Sequence, residues 1–144
     1  MDMERIIPIA DTGFIVALLN REDLRHNEVV SIYLQYSTII VTQTVLAEVA
    51  YLVGRESGNL TVVAFLKGLT DSRFKIVPLT DLDLNRVAEI LEQYHDSRID
   101  FVDATVMAVA ERYKTKIVLT IDFRDFIIFR PKHCLNFEIK PLYQ

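Results

Sequence analysis

A chain of 144 residues with 51% hydrophobic residues, 25% charged residues and a formal net charge of -4 is the length of one domain, one that buries roughly 70% of its unfolded surface. Such a composition excludes a disordered chain, and the negative balance excludes a broad electrostatic grip on nucleic acid, so any nucleic-acid site must be local and supplied with cations. The lone Cys134 excludes an intrachain disulfide, and no CxxC or His/Cys spacing supports a structural zinc site.

A single domain over residues 1–144 is therefore expected. The N-terminus carries Asp2 and only a brief apolar run before Asp11, without the basic region and apolar core of a signal peptide. Polar residues from Ser31 to Thr44 interrupt the longest uncharged stretch, Val29 to Ala47, so no membrane span is expected. These features describe a soluble, cytoplasmic protein whose spare hydrophobicity hints at an oligomer interface.

In chain order, Ile6 to Ala10 is a short apolar run ending at Asp11. Thr12, Gly13 and the apolar Phe14 to Leu19 follow, which reads as strand, turn, helix. Pro8 lacks an N–H and is uncommon in central strands, so this strand should be short or irregular. Asn20 to His26 is a polar loop, and Asn27 to Tyr36 has apolar residues at helical spacing. Thr38 to Val41 is a second β-branched run. Thr42 to Arg55 then forms a helix on which Thr44, Glu48, Tyr51 and Arg55 fall along one narrow stripe. That stripe either faces solvent or lines a polar cleft. Gly58 marks a break before the apolar helix Asn59 to Leu69. Phe74 to Val77 is a third strand, stopped by Pro78, and Thr80 to Tyr94 is a helix with a cap-like Thr80. Asp81 and Asp83 in its first turn suit a helix N-terminus and read as structural.

The stretch Ile99 to Phe126 organises the rest. Apolar residues from Phe101 to Ala110 make its first half hydrophobic almost all the way round, the pattern of a buried helix, with Asp100 and Asp103 at its mouth. Lys116 to Thr120 is a short β-branched run that reads as a buried parallel strand. Asp122 follows just past its end, and Asp125 comes three residues later. Phe126 to Phe129 reads as a short helical turn and Phe137 to Ile139 as a last strand.

Alternating strands and helices predict an α/β fold with a parallel sheet covered on both faces. Right-handed crossovers then put the strands' C-terminal ends on one edge, where open α/β sheets bind ligands. Asp11 and Asp122 should meet there, joined by Asp103, Asp100 and, if its stripe lines the cleft, Glu48. Asp11 or Thr12 can equally be a helix cap, and Asp100 with Asp103 can be a carboxylate capping box. Clustered like charges need a counter-charge, and all-oxygen donors suit Mg2+ or Mn2+ over zinc or copper. Such ions, with positions open to water, support in-line phosphodiester hydrolysis. A Gly-rich phosphate loop, a GxSxG elbow and an HExxH motif are all lacking.

DTGF from Asp11, VLAEVAYLVGR around Glu48, FVDATVMAVAER around Asp103 and LTIDFRDFIIFRP from Leu119 together resemble a PIN domain, most closely the VapC-type toxins of toxin-antitoxin pairs. The likeness runs over nearly the whole chain. It implies a three-layer α/β/α Rossmann-like fold with a mainly parallel sheet and a Mg2+- or Mn2+-dependent ribonuclease. It also implies a homodimer and a small antitoxin partner. Carried over by motif, the acidic quartet that binds metal and catalyses falls on Asp11, Glu48, Asp103 and Asp122. Thr12, Thr120, Asp100 and Asp125 would support it, Asp125 as an outer ligand or as the cap of the short helix at Phe126. Arg55 and Arg124 are candidates for holding RNA phosphates, since the guanidinium fork matches phosphate geometry. An alternative is a PIN nuclease that works in RNA processing or DNA handling outside a toxin pair. A receiver-type phosphoacceptor domain would need adjacent acids after the first strand and an acid after the third. Asp11 stands single there, and Phe74 to Val77 runs into Pro78 with no acid until Asp81.

Overall fold

Five parallel strands and seven α-helices make up the structure, a computed structural model that describes residues 6–141. The strands are β1 (Ile9–Ala10), β2 (Ile39–Thr42), β3 (Phe74–Val77), β4 (Ile117–Leu119) and β5 (Glu138–Lys140). They lie in the order β3-β2-β1-β4-β5, every pairing parallel. The chain therefore builds outward from β1 in one direction, then returns to the other side of β1. Between β1 and β4 the order reverses, which opens a crevice at their C-terminal ends.

The helices are α1 (Thr12–Leu19), α2 (His26–Tyr33), α3 (Gln43–Ser57), α4 (Asn59–Gly68), α5 (Asp81–Gln93), α6 (Phe101–Tyr113) and α7 (Arg124–Ile128). Right-handed crossovers put α1 to α4 on one face of the sheet and α5 to α7 on the other. In keeping with this, α1 packs on α2 and α3, α3 on α4, and α5 on α6. The result is the expected three-layer α/β/α arrangement. No helix among the described residues is long and apolar enough to cross a membrane.

Four strands differ at their ends from the sequence expectation, β2 lying one residue later at Ile39–Thr42 and β4 covering only Ile117–Leu119. The run from Ile6 is a strand only at Ile9–Ala10, because Pro8 has no N–H to give. Its carbonyl still accepts from Ile40 N at 2.9 Å. The last strand sits one residue later than expected, at Glu138–Lys140. By contrast β3 matches residue for residue, and α6 buries every residue from Ala104 to Ala110, as an all-round apolar helix should. Gly58, at φ 84°, separates α3 from α4 in a backbone conformation that glycine tolerates best.

The apolar excess divides unevenly. Val45 and Val49 of α3 are wholly buried in the core, since α3 turns that stripe onto the sheet. On α4 no residue is fully buried, and Leu60, Val63 and Leu66 are exposed.

Candidate metal and nucleic-acid site

Each acid reaches the sheet edge through ordinary local structure. Asp11 ends β1 and caps α1, its Oδ1 accepting from Phe14 N at 3.1 Å. Its Oδ2 accepts from the Thr120 hydroxyl at 2.5 Å, and that hydroxyl in turn accepts from Asp122 N at 3.0 Å. Thr120 thus ties the loop after β4 to the end of β1 from beneath. Gly13 makes the close approach possible, because a Cβ there would lie 3.1 Å from Ile121 Cγ1.

Glu48 is placed by a second hydroxyl chain. Thr42 caps α3, its Oγ1 lies 2.8 Å from Thr44 Oγ1, and Thr44 Oγ1 lies 2.7 Å from Thr105 Oγ1 on α6. These contacts pin the first turn of α3 to α6, one turn before Glu48. Asp100 and Asp103 form a reciprocal capping box on α6: Asp103 N donates to Asp100 Oδ1 at 2.9 Å and Asp100 N to Asp103 Oδ2 at 3.2 Å. Both are caps, and both also face the cleft.

That cleft, about 430 Å³, is lined by Asp11, Glu48, Asp100, Asp103, Asp122 and Asp125, with Thr12 and Gly13, an apolar wall of Leu52, Val102 and Val106, and two arginines, Arg98 and Arg124. The structure brings the whole expected quartet to one place. Asp125 does not cap α7, whose first turn has no side-chain cap. Its carboxyl instead lines the cleft together with Asp103. Thr120 lies under the cleft as a buried support, whereas Thr12 lines it with a buried hydroxyl that has no partner among the described residues.

Arg124 lies 3.4 Å from Asp122 at the rim. Arg55 is not brought to the acids. It sits two turns beyond Glu48, paired with Glu56 at 3.5 Å and lying over the Tyr51 ring at 5.7 Å, in a neighbouring groove that shares only Leu52 with the cleft. The predicted stripe therefore begins in the cleft and ends in solvent. Arg98, Thr105 and Gly13 were not singled out by their spacing. The one signal was Thr105, a lone hydroxyl in an otherwise apolar run.

The electrostatics show the missing counter-charge. Burial pushes the Asp11 carboxyl up to about 7, against the pull of Thr120 and Phe14, and Asp122 and Glu48 add to the rise. Burial likewise pushes Asp103 up to about 8, with Asp100 and Asp125 contributing as like charges. Asp125 is raised by burial first and by Asp122 next. Among the described residues no three acidic, imidazole or thiol groups form a ready-made metal cage. What the cleft offers is an all-oxygen donor set with an orphaned hydroxyl and carboxyls driven toward neutrality, which fits a hard divalent cation. Asp11, Glu48, Asp103 and Asp122 could hold it.

Comparison with known proteins shows the family. The PIN domain model matches residues 9–128. Ribonuclease VapC26 of Mycobacterium tuberculosis is 30% identical over 134 residues, covering 92% of this chain and 99% of the relative. Among solved structures, the Mycobacterium tuberculosis VapC20 toxin, described as cleaving the sarcin-ricin loop, superposes with a TM-score of 0.73 at 24% identity, covering 83% of this chain and 93% of that one. VapBC2 from Rickettsia felis, bound to a DNA fragment from its promoter, gives 0.64 at 21% identity over 93% and 98% of the two chains. With the acids gathered where the sheet order reverses and the family model spanning β1 through α7, the chain belongs to the PIN domain family.

Proposed function

We propose that this chain, a single PIN domain over residues 1–144, is a metal-dependent endoribonuclease that hydrolyses RNA phosphodiester bonds as the cytoplasmic toxin of a toxin-antitoxin pair. One observation carries the reading: six carboxylates from separate segments share one cleft with only two arginines. The 30% identity to a VapC ribonuclease over almost its full length supports the choice of substrate.

Asp11, Glu48, Asp103 and Asp122 would hold Mg2+ or Mn2+, which supplies positive charge for the attacking and departing oxygens of the displacement. The chain's own groups do the rest. Thr120 fixes the Asp11 carboxylate, the capping box fixes Asp103, and the threonine chain sets the height of Glu48. Arg124 at the rim can meet a phosphate, at the expense of its long contact with Asp122. The exposed apolar side of α4 supports a two-fold homodimer, and a small antitoxin protein would silence the cleft.

The test is cleavage of a panel of structured RNAs in Mg2+ or Mn2+, beside Asp11→Asn. Cleavage by the parent, lost in excess chelator, restored by the metal and missing in the variant, is the expected result. Full activity in chelator, or a variant cutting at the parent rate, would overturn the reading. A small protein encoded in the adjacent reading frame should copurify and inhibit.

A further inference from the structure

We propose that Arg98 is a binding residue for RNA backbone phosphate at the acid cleft, an inference that rests on the ribonuclease reading above. Arg98 lines the cleft and is exposed. Six carboxylates share that cleft, Asp100 only two residues away, yet none of them pairs with Arg98 among the described residues. Every other described arginine except Arg21 is engaged. Arg86 holds Glu111 and Arg112 the buried Asp83, Arg73 and Arg130 hold backbone carbonyls, and Arg25, Arg55 and Arg124 lie against acids. Arg21 lies outside the cleft.

The guanidinium is unpaired although its backbone is firmly held. Ser97 N and Ser97 Oγ both donate to Tyr94 O, at 2.9 and 2.6 Å, and Ile99 N donates to Ser97 Oγ at 3.1 Å. Ile99 is buried, and Tyr94 packs on Phe129, ring centroids 5.6 Å apart, while its hydroxyl accepts from Arg130 N. Asp100 then starts the capping box. The loop is therefore set on both sides of Arg98, and only its side chain is left free.

Charge explains what a free arginine does there. A cleft lined by six carboxylates repels a polyanion, and divalent ions bound by the quartet act at the scissile phosphate alone. The neighbouring phosphates still need a cation from the protein. Arg124 is partly committed to Asp122 at 3.4 Å. Arg98 has its planar fork of donors available for a bidentate contact. A contact of this kind positions the strand and carries no sequence information, so it should act on binding more than on turnover.

The experiment compares parent, Arg98→Ala, Arg98→Lys and Arg21→Ala. Binding of a fluorescent mixed-sequence single-stranded RNA is measured by anisotropy across a salt series, in an Asp11→Asn background to prevent cutting, and cleavage kinetics are measured without that background. Loss of one charged contact should weaken binding by Arg98→Ala about tenfold and lower the salt slope by about 0.7. KM should rise with kcat nearly unchanged, and Arg98→Lys should recover part of the loss. Thermal stability should match the parent, because Arg98 holds no other group among the described residues. If Arg98→Ala binds RNA as Arg21→Ala does while the parent still cleaves, the proposal falls and the ribonuclease reading stands. If the parent neither binds nor cleaves any RNA, both fall.

Discussion

The α5–α6 contact and the acid cleft treat the same kind of residue in opposite ways. Between the helices, Asp83 is buried and receives two bonds from Arg112 Nε, at 3.1 and 3.0 Å, and an ion pair from its terminal nitrogen at 3.0 Å. Glu111 receives Arg86 at 2.6 and 3.1 Å. Each of these acids folds with its own cation. In the cleft, six acids have one arginine at 3.4 Å and one that touches none of them. The acids between the helices are neutralised within the fold, whereas those in the cleft, caps among them, are left for the bound cation that the proposed function calls for.

Replacing Asp103 by Asn sharpens that contrast most. Asp103 sits at the third position of α6, and Asn there keeps an acceptor oxygen for Asp100 N, so the capping box should survive while a proposed metal ligand is lost. RNA cleavage should fall by more than about a hundredfold, beyond the 10–100-fold that outer partners of metal ligands are worth. Without metal the variant should be as stable as the parent or more so, and it should gain less from added Mg2+. Thermal unfolding with and without Mg2+, beside a cleavage assay, reads both effects, and cleavage at the parent rate would leave Asp103 only a cap.

The next effect is on stability against pH. Asp11 stands at about 7 in the folded protein against 3.8 for a free carboxyl, so the folded state holds its proton more tightly than the unfolded state does. The stabilising contribution is complete below about pH 4 and is lost as pH rises through about 7. At about 1.4 kcal/mol per pKa unit the loss is up to roughly 4 kcal/mol, and Asp103 acts in the same direction. Denaturant unfolding of the metal-free parent should weaken from pH 4 to pH 8, whereas Asp11→Asn should flatten the profile. A parent curve rising over that interval would mean that other groups outweigh the cleft.

The smallest of the three breaks the other side of the comparison. Glu111→Gln strands Arg86, whose side chain is only 15% exposed, and should cost about 3 kcal/mol of stability. Cleavage per folded molecule should be unchanged, as Glu111 lies outside the cleft. An equal loss in kcat would show that the α5–α6 contact and the cleft are coupled.

Much of the fold was legible in short patterns. Phe74 to Val77 is a strand because a run of apolar and β-branched residues meets Pro78, and Ala104 to Ala110 is buried because no polar face breaks it. Asp11 and Asp122 could be placed together before any coordinates, since parallel strands with right-handed crossovers share one C-terminal edge. The family likeness then singled out Glu48, which a solvated helix face explains as well, and added weight to Asp103.

The rest depended on how elements pack. A stripe at 100° per residue puts Glu48 and Arg55 on the same side of a helix, yet a cleft this size meets that helix for about one turn, so Glu48 enters and Arg55 does not. Val45 and Val49 belong to the core because α3 lies against the sheet at that height, which no local pattern encodes. The hydroxyl chain from Thr42 to Thr105 spans 63 positions in sequence, and the unpaired state of Arg98 is a relation to every acid around it. Local sequence determined which segments become strands and helices and which acids end them, because backbone sterics and burial act over a few residues. Tertiary structure decided which charges are neutralised, because charge interactions depend on distance and burial and not on order along the chain.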